Sequence, residues 1–365
     1  MREIIHKIHL WAGLAVCLPL VLLGLTGSIL VFDHEIEDLF AAPHALAAGT
    51  PHSVEEILNA ARKAAPEGFT PTMFRPGTGE KPATVFLTGR PRGKGLLKSG
   101  EAGPRMQVAV DPASLTVTPK PPGFMRQILQ FHSSLLLREY GGRSVVGWFG
   151  AAMLVFGITG VVLWWPRPGQ WRTAFILRPG SRGWLFHREL HGAVGIWSLL
   201  VLIVVTASGV YLAFPRTMDA VMTGTLGTRD LRAPPAIEIV PDKTITLLNA
   251  DEAIDMARKT IPEARLSALT IPAKPSQPYR ISLLYRNADD GTPPVNVFID
   301  PWKRQIIEIR DPRDYSPAET VMAWTHAVHA GHAWGWTWRM LVFMSGLLPL
   351  LFSITGISMW AIKRR

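Results

Sequence analysis

Four stretches without a single Asp, Glu, Lys or Arg constrain this chain more than any other feature: residues 10–32, 145–165, 191–214 and 340–362. A helix needs about 20 apolar residues to cross a bilayer, so each stretch is expected to span one. Only 18% of the 365 residues are charged, against about a quarter in soluble domains. The first stretch follows Arg2 and Lys7 and precedes Ala-rich sequence at 41–48, as a cleaved signal peptide would. Its 23-residue apolar run exceeds the roughly 7–15 residues of a signal h-region, and an uncleaved anchor is expected. The short segment 166–190 carries Arg167, Arg172, Arg178, Arg182 and Arg188 against one acid, Glu189. Lys363, Arg364 and Arg365 close the chain. By the positive-inside rule this loop and both termini are expected to be cytoplasmic. The long segments then face the other side, with lobes at 33–130 and 215–320. The pieces 131–165 and 321–365 each read as an interfacial stretch followed by a span. Trp11, Trp164, Trp165 and Trp360 fall at span ends, where aromatic girdles sit.

The chain is written twice. An offset of 182 lays His9 on His191, Gly13 on Gly195, Thr26-Gly27 on Ser208-Gly209 and Phe32 on Phe214. An offset of 196 lays Thr159-Gly160 on Thr355-Gly356 and Trp164 on Trp360. The outer segments repeat too. Ser53 with Glu56 three residues on is a capping box opening an amphipathic helix, and Asn249 with Glu252 matches it. Residues 85–87, 106–110, 280–285 and 295–299 alternate or run apolar as strands do. Two of these end alike, in Val110-Asp111-Pro112 and Ile299-Asp300-Pro301. The fold class expected is an α-helical integral membrane protein of four transmembrane helices, duplicated internally, with two α+β lobes.

These residues carry a family resemblance. His9-Leu10-Trp11-Ala12-Gly13-Leu14, Phe131-His132-Ser133-Ser134-Leu135-Leu136, Leu190-His191-Gly192-Ala193-Val194-Gly195-Ile196-Trp197 and His329-Ala330-Gly331 together resemble the PepSY-associated transmembrane family, also called iron-regulated membrane proteins. The Asp-Pro strand ends resemble PepSY lobes. The resemblance implies a bacterial inner-membrane protein with periplasmic PepSY-like lobes, of a kind that includes siderophore reductases carrying haem b.

Eleven histidines are present and one cysteine, Cys17. That excludes disulfide frameworks, cysteine zinc sites, iron–sulfur clusters and c-type haem attachment, so histidine must hold any metal or haem. His9 and His191 open helices that start on the same side. His132, His326, His329 and His332 precede helices that start on the other. One histidine cluster is therefore expected at each membrane face. Haem b needs two neutral imidazoles across its iron. His9 with His191, and His132 with His329, are the expected pairs for two haems b. Gly13 and Gly195 sit one turn beyond the first two, where they would let a flat group lie against each helix. Arg143 and Arg339 are expected at the outer rim, with Lys7 or Arg188 at the inner one, for propionates. The bland reading makes interfacial histidines anchors only, and His6, His34, His44, His52 and His187 receive it. His326 is the alternative outer ligand. His326, His329 and His332 also have the spacing of a zinc or iron site, although steps of three drift around a helix.

No Gly-rich phosphate loop and no nicotinamide or flavin fingerprint is present. The +10 net charge is spread along the chain rather than gathered in a stripe, against a nucleic-acid partner. The expected function is an oxidoreductase: a haem b electron-transfer protein that reduces ferric siderophore, a hydroxamate among the candidates, and releases Fe(II). Its electron donor would be a quinol or a cytoplasmic reductase. Two rival readings stand beside it. One is a peptide-binding or protease-inhibiting module on a membrane anchor, and the other a haem-bearing subunit of a different reductase.

Overall fold

A computed structural model describes residues 1–40, 46–79, 81–90, 103–120, 123–238, 247–286, 288 and 291–364. The first half runs α1 (Arg2–Leu30), α2 (Asp33–Phe40), α3 (Val54–Ala64), β1 (Phe69–Arg75), β2 (Ala83–Gly89), β3 (Arg105–Val110), β4 (Val117–Pro119), α4 (Phe124–Ser134) and α5 (Gly142–Trp164). The short α6 (Trp171–Ala174) connects it to the second half. That half repeats the order as α7 (Gly183–Ala213), α8 (Pro215–Leu226), α9 (Ala250–Thr260), β5 (Ala264–Thr270), β6 (Tyr279–Tyr285), β7 (Val295–Asp300), β8 (Gln305–Arg310), α10 (Pro317–Ala330) and α11 (Gly335–Arg364). The duplication expected from the sequence is thus complete at the level of elements.

Among the described residues, α1, α5, α7 and α11 are the four helices long and apolar enough to cross a membrane. α1, α7 and α11 begin five to eight residues ahead of their uncharged runs, because amphipathic interfacial residues continue the helix. His6, His9, His187 and His191 are therefore all helical. The helices form a ring in which α1 touches α11 and α5, and α7 touches the same two. The tightest crossing is α1 on α11. A Cβ placed on Gly346 would stand 2.6 Å from the Gly24 carbonyl oxygen, and one on Gly24 would collide with the Gly346 carbonyl. Ser28 Oγ donates to the Phe343 carbonyl across the same contact, 2.8 Å. Small residues let membrane helices approach in this way.

Outside the bundle the two lobes are not separate. Their strands form one antiparallel sheet in the order β4-β3-β2-β1-β5-β6-β7-β8, joined where Met73 pairs with Thr270 and Phe74 with Leu269. α3 and α9 cover one face. Ile57, Leu58 and Ala61 from α3 and Ala253, Ile254 and Ala257 from α9 pack on Val85, Leu87, Leu269, Ile281, Leu283, Val297 and Ile299. Both helices begin with the capping box foreseen, at Ser53/Glu56 and Asn249/Glu252.

The two helix starts also cap one another. Asp251 accepts from the Val54 and Glu55 backbone N–H groups at 2.8 and 3.1 Å, and Glu55 accepts from the Ala250 N–H at 3.2 Å. A carboxylate is favoured at a helix N-terminus by the unpaired N–H groups and the dipole. Asp251→Ala should therefore cost about 1–2 kcal/mol and loosen the seam between lobes. Thermal unfolding followed by tryptophan fluorescence checks this, and an unchanged midpoint would show the reciprocal caps to be idle.

Candidate functional site

α4 and α10 do not cross the membrane by themselves. Each packs against the spanning helix of its own half, α4 on α1 and α10 on α7, and brings one histidine against it. His132 and His329 thereby face one another with ring centres 6.1 Å apart. At the opposite end of the bundle His9 of α1 and His191 of α7 face one another, ring centres 6.4 Å apart. Both expected pairs are brought together. Fourteen residues of α1 separate His9 from Leu23, the residue that meets His132. At about 1.5 Å per residue the pairs lie roughly 21 Å apart along the helix.

The hydrogen bonds of the four rings assign their protons. His132 Nδ1 lies 3.0 Å from the Leu23 carbonyl oxygen and His329 Nδ1 lies 2.9 Å from the Val205 carbonyl oxygen. A carbonyl only accepts, so both Nδ1 atoms carry hydrogen. His9 Nδ1 is 2.8 Å from Thr159 Oγ1, and His191 Nδ1 is 2.8 Å from Thr355 Oγ1. Each hydroxyl donates to the carbonyl four residues back, Val155 and Leu351, at 2.8 Å. Its oxygen is left to accept from Nδ1–H. All four histidines thus donate from Nδ1, and no Nε2 among them has a hydrogen-bond partner among the described residues. This is the tautomer of a metal-ligating imidazole, whose other nitrogen is fixed by a second-shell partner.

The spacing of the rings tests whether one metal fits each pair. Two imidazoles bound on opposite sides of an iron, with metal–nitrogen bonds of about 2 Å and ring centres about 1.1 Å behind the nitrogens, put those centres about 6.2 Å apart. Both pairs match that figure, at 6.4 and 6.1 Å. The inner pair also opens on a cavity of about 1180 Å³, at or above the range of about 300–1,000 Å³ usual for small-molecule pockets. Gly13, Gly195, Phe156 and Phe352 line it beside the imidazoles, and Arg2, Lys7, Arg188 and Lys363 are among its basic lining. A Cβ on Gly13 would meet nothing within 4 Å, so the glycine faces open space rather than a packed neighbour.

The outer pair is held by glycines that sequence reasoning did not assign. A Cβ on Gly27 would stand 3.0 Å from His132 Cε1, and one on Gly209 would stand 2.8 Å from His329 Cε1. Thr26 and Ser208 hydroxyls stand 3.2 and 3.3 Å from the same Nδ1 atoms. Thr159 and Thr355 were likewise unassigned, although the signal was visible: all four are hydroxyl-glycine pairs matched across the repeat.

Arg143 and Arg339 take equivalent places at the outer ends of the bundle. Arg143 Nε donates to the Leu212 carbonyl near the end of α7, at 3.2 Å. Arg339 donates to the Val31 carbonyl just past α1, at 2.7 and 3.0 Å, and pairs with Glu35. Both guanidinium groups are used to close helix C-termini, where cations are favoured. His326 is exposed and makes no ring contact with the outer pair, and His332 stacks on His34 with ring centres 5.9 Å apart. Among the described residues no three His, Cys, Asp or Glu side chains converge to hold a metal ion, so His326, His329 and His332 do not form a joint site. His44 lies outside the described residues.

A family model described as the PepSY-associated TM region matches residues 6–363. No curated protein matches the chain.

Proposed function

Because the chain belongs to the PepSY-associated transmembrane family, we propose that it is a membrane cytochrome holding two haems b, which reduces ferric siderophore and frees Fe(II). The observation that carries this is the two imidazole pairs, each at the spacing of a shared iron and each with its Nδ1–H fixed. His9 and His191 would hold one haem, and His132 and His329 the other. A bound haem supplies one-electron chemistry and stores the electron. The protein's own part is positional. Thr159, Thr355 and the Leu23 and Val205 carbonyls hold the rings in one tautomer, while Gly27 and Gly209 admit the outer imidazoles. Gly13 and Gly195 leave room beside the inner ones, and apolar span residues keep water away. Reduction of iron lowers its charge and hence its hold on hard oxygen ligands, so Fe(II) leaves the chelate.

The arginines of 166–190 support a reading in which that segment and both termini are cytoplasmic and the sheet is in the periplasm of a bacterial inner membrane. The donor is then a quinol or a cytoplasmic reductase. A reporter fused after residue 180 should be active only in the cytoplasm, and one inserted near residue 90 only in the periplasm. The opposite pattern would exchange the inner and outer pairs.

Purified protein should show a Soret band, sharp reduced α and β bands and two haems per chain. Mixed anaerobically with ferric siderophore, the reduced protein should reoxidise while an Fe(II) chelator traps the product. A colourless protein would overturn the cytochrome and leave an anchored pair of peptide-binding lobes. Haem that stays reduced would overturn the siderophore as acceptor.

A further inference from the structure

The two lobes match in outline but not in charge. On the sheet face turned away from α3 and α9, Arg280 of β6 pairs in register with Phe298 of β7. Arg310 of β8 lies over the same ring, its guanidinium carbon 4.7 Å from the ring centre. The equivalent register pair of the first lobe, Thr84 with Ala109, has neither the charge of Arg280 nor the ring of Phe298. Arg310 is only 7% exposed. Glu308 takes its Nε and Nη2 at 2.7 and 3.0 Å, while Nη1 is buried without a partner. Arg280 gives Nη2 to Thr270 Oγ1 at 3.1 Å, and its Nε is buried without a partner. No carboxylate among the described residues pairs with it. Burial first, and then the charge of Arg310, push the Arg280 guanidinium below its ordinary pKa.

Burying a guanidinium without a counter-charge is expensive. Here Glu308 pairs with Arg310 alone, Arg280 has only the Thr270 hydroxyl, and each guanidinium keeps a buried N–H unmet. Planar guanidinium forks of this kind suit carboxylate oxygens, which accept two N–H groups side by side. The place also bears on the redox centre. β8 ends at Arg310 and the chain enters α10 at Pro317. His329 follows twelve residues on, about 18 Å along that helix. Glu319 in the first turn of α10 is bound by Arg229 at 2.7 and 3.0 Å, which with the cap N–H groups holds its carboxyl down at about 2. Arg229 in turn feels the charge of Glu308. The arginine face and the foot of the histidine-bearing helix therefore belong to one charged network.

We propose that the Arg280–Arg310 face of the second lobe binds a carboxylate group of the iron chelate, so that the substrate is an anionic, carboxylate-bearing ferric complex. The identity of the substrate rests on the reductase reading above; the carboxylate site itself does not. Isothermal titration of the full-length protein in detergent tests the site with citrate and, separately, inorganic phosphate. Citrate should bind, phosphate should bind at least tenfold more weakly, and Arg280→Gln should weaken citrate at least tenfold while haem content stays unchanged. No heat with citrate, equal affinity for phosphate, or citrate binding untouched by Arg280→Gln would each overturn the carboxylate site.

Reoxidation of the reduced protein supplies the second arm. Ferric citrate should reoxidise Arg280→Gln at least tenfold more slowly than the unaltered chain, with a neutral ferric trihydroxamate unaffected. Equal slowing with both chelates would overturn the substrate class. Citrate binding by a protein that reduces neither chelate would overturn the reductase reading and keep the carboxylate site.

Discussion

His329→Ala should halve the haem content, from two per chain to one, and abolish reoxidation by ferric siderophore. The ring it removes is half of the outer pair, 6.1 Å from His132, and a haem that the two imidazoles would hold together loses one of its two protein ligands. His132→Ala should do the same. His9→Ala or His191→Ala should instead empty the inner site and spare one turnover of pre-reduced protein. Gly209→Leu is the sharper version, because it keeps all four histidines in the sequence and displaces one ring. A Cβ there would stand 2.8 Å from His329 Cε1, so the imidazole must leave its seat and its bond to the Val205 carbonyl. His326→Ala should leave both haems. A pyridine haemochrome assay on each variant checks the set. Loss of both haems from one outer substitution, in a protein that still migrates as a single species, would overturn the two-site assignment.

Gly24→Leu should prevent the bundle from assembling. The conflict is with backbone, since a Cβ on Gly24 meets the Gly346 carbonyl and lies 3.1 Å from Pro349 Cγ. Side chains can turn away from an intruder but a helix carbonyl cannot. Overpacking a side-chain core costs about 1–3 kcal/mol; here α1 and α11 must separate and lose the Ser28–Phe343 bond as well. Detergent-solubilised Gly24→Leu should elute in the void volume and show no cooperative melt. Gly224→Ala, where an added Cβ meets nothing within 4 Å, should behave as the unaltered chain does. A stable, monodisperse Gly24→Leu protein would mean that the close crossing of α1 and α11 is dispensable.

The spans, the duplication and the facing histidines were legible because each leaves a dense local signal: a charge-free run, a matched offset, a residue type confined to span ends. Strands β1, β4, β5 and β8 were not. β1 holds Pro71 and a register shift between Pro71 and Met73, and β5 shifts between Leu266 and Ala268. Such irregularities break the period of two on which a strand is recognised. The fusion of the lobes into one sheet rests on two residue pairs between distant strands, which no local pattern encodes. The glycines behind the outer imidazoles were visible as repeat-matched residues but not as seats. His132 and His329 are 197 residues apart, so the ungapped offset of 196 lays His132 on Val328. Three-dimensional environment, a carbonyl on α1 or α7 and a glycine beneath, is what makes the two histidines equivalents.

The seam of the sheet sets a timetable for making the protein. β1 is complete at Arg75, and the partner of its free edge, β5, begins at Ala264. At about 5–20 residues per second of synthesis, the 188 residues between them take roughly 10–40 s. Throughout that interval the first lobe, already outside its membrane helix, presents an open strand edge, the feature that invites pairing with foreign strands. The nascent chain must therefore be guarded on the side where the sheet forms until its own second half arrives. Halves divided within α6 and produced together should find each other through that same edge.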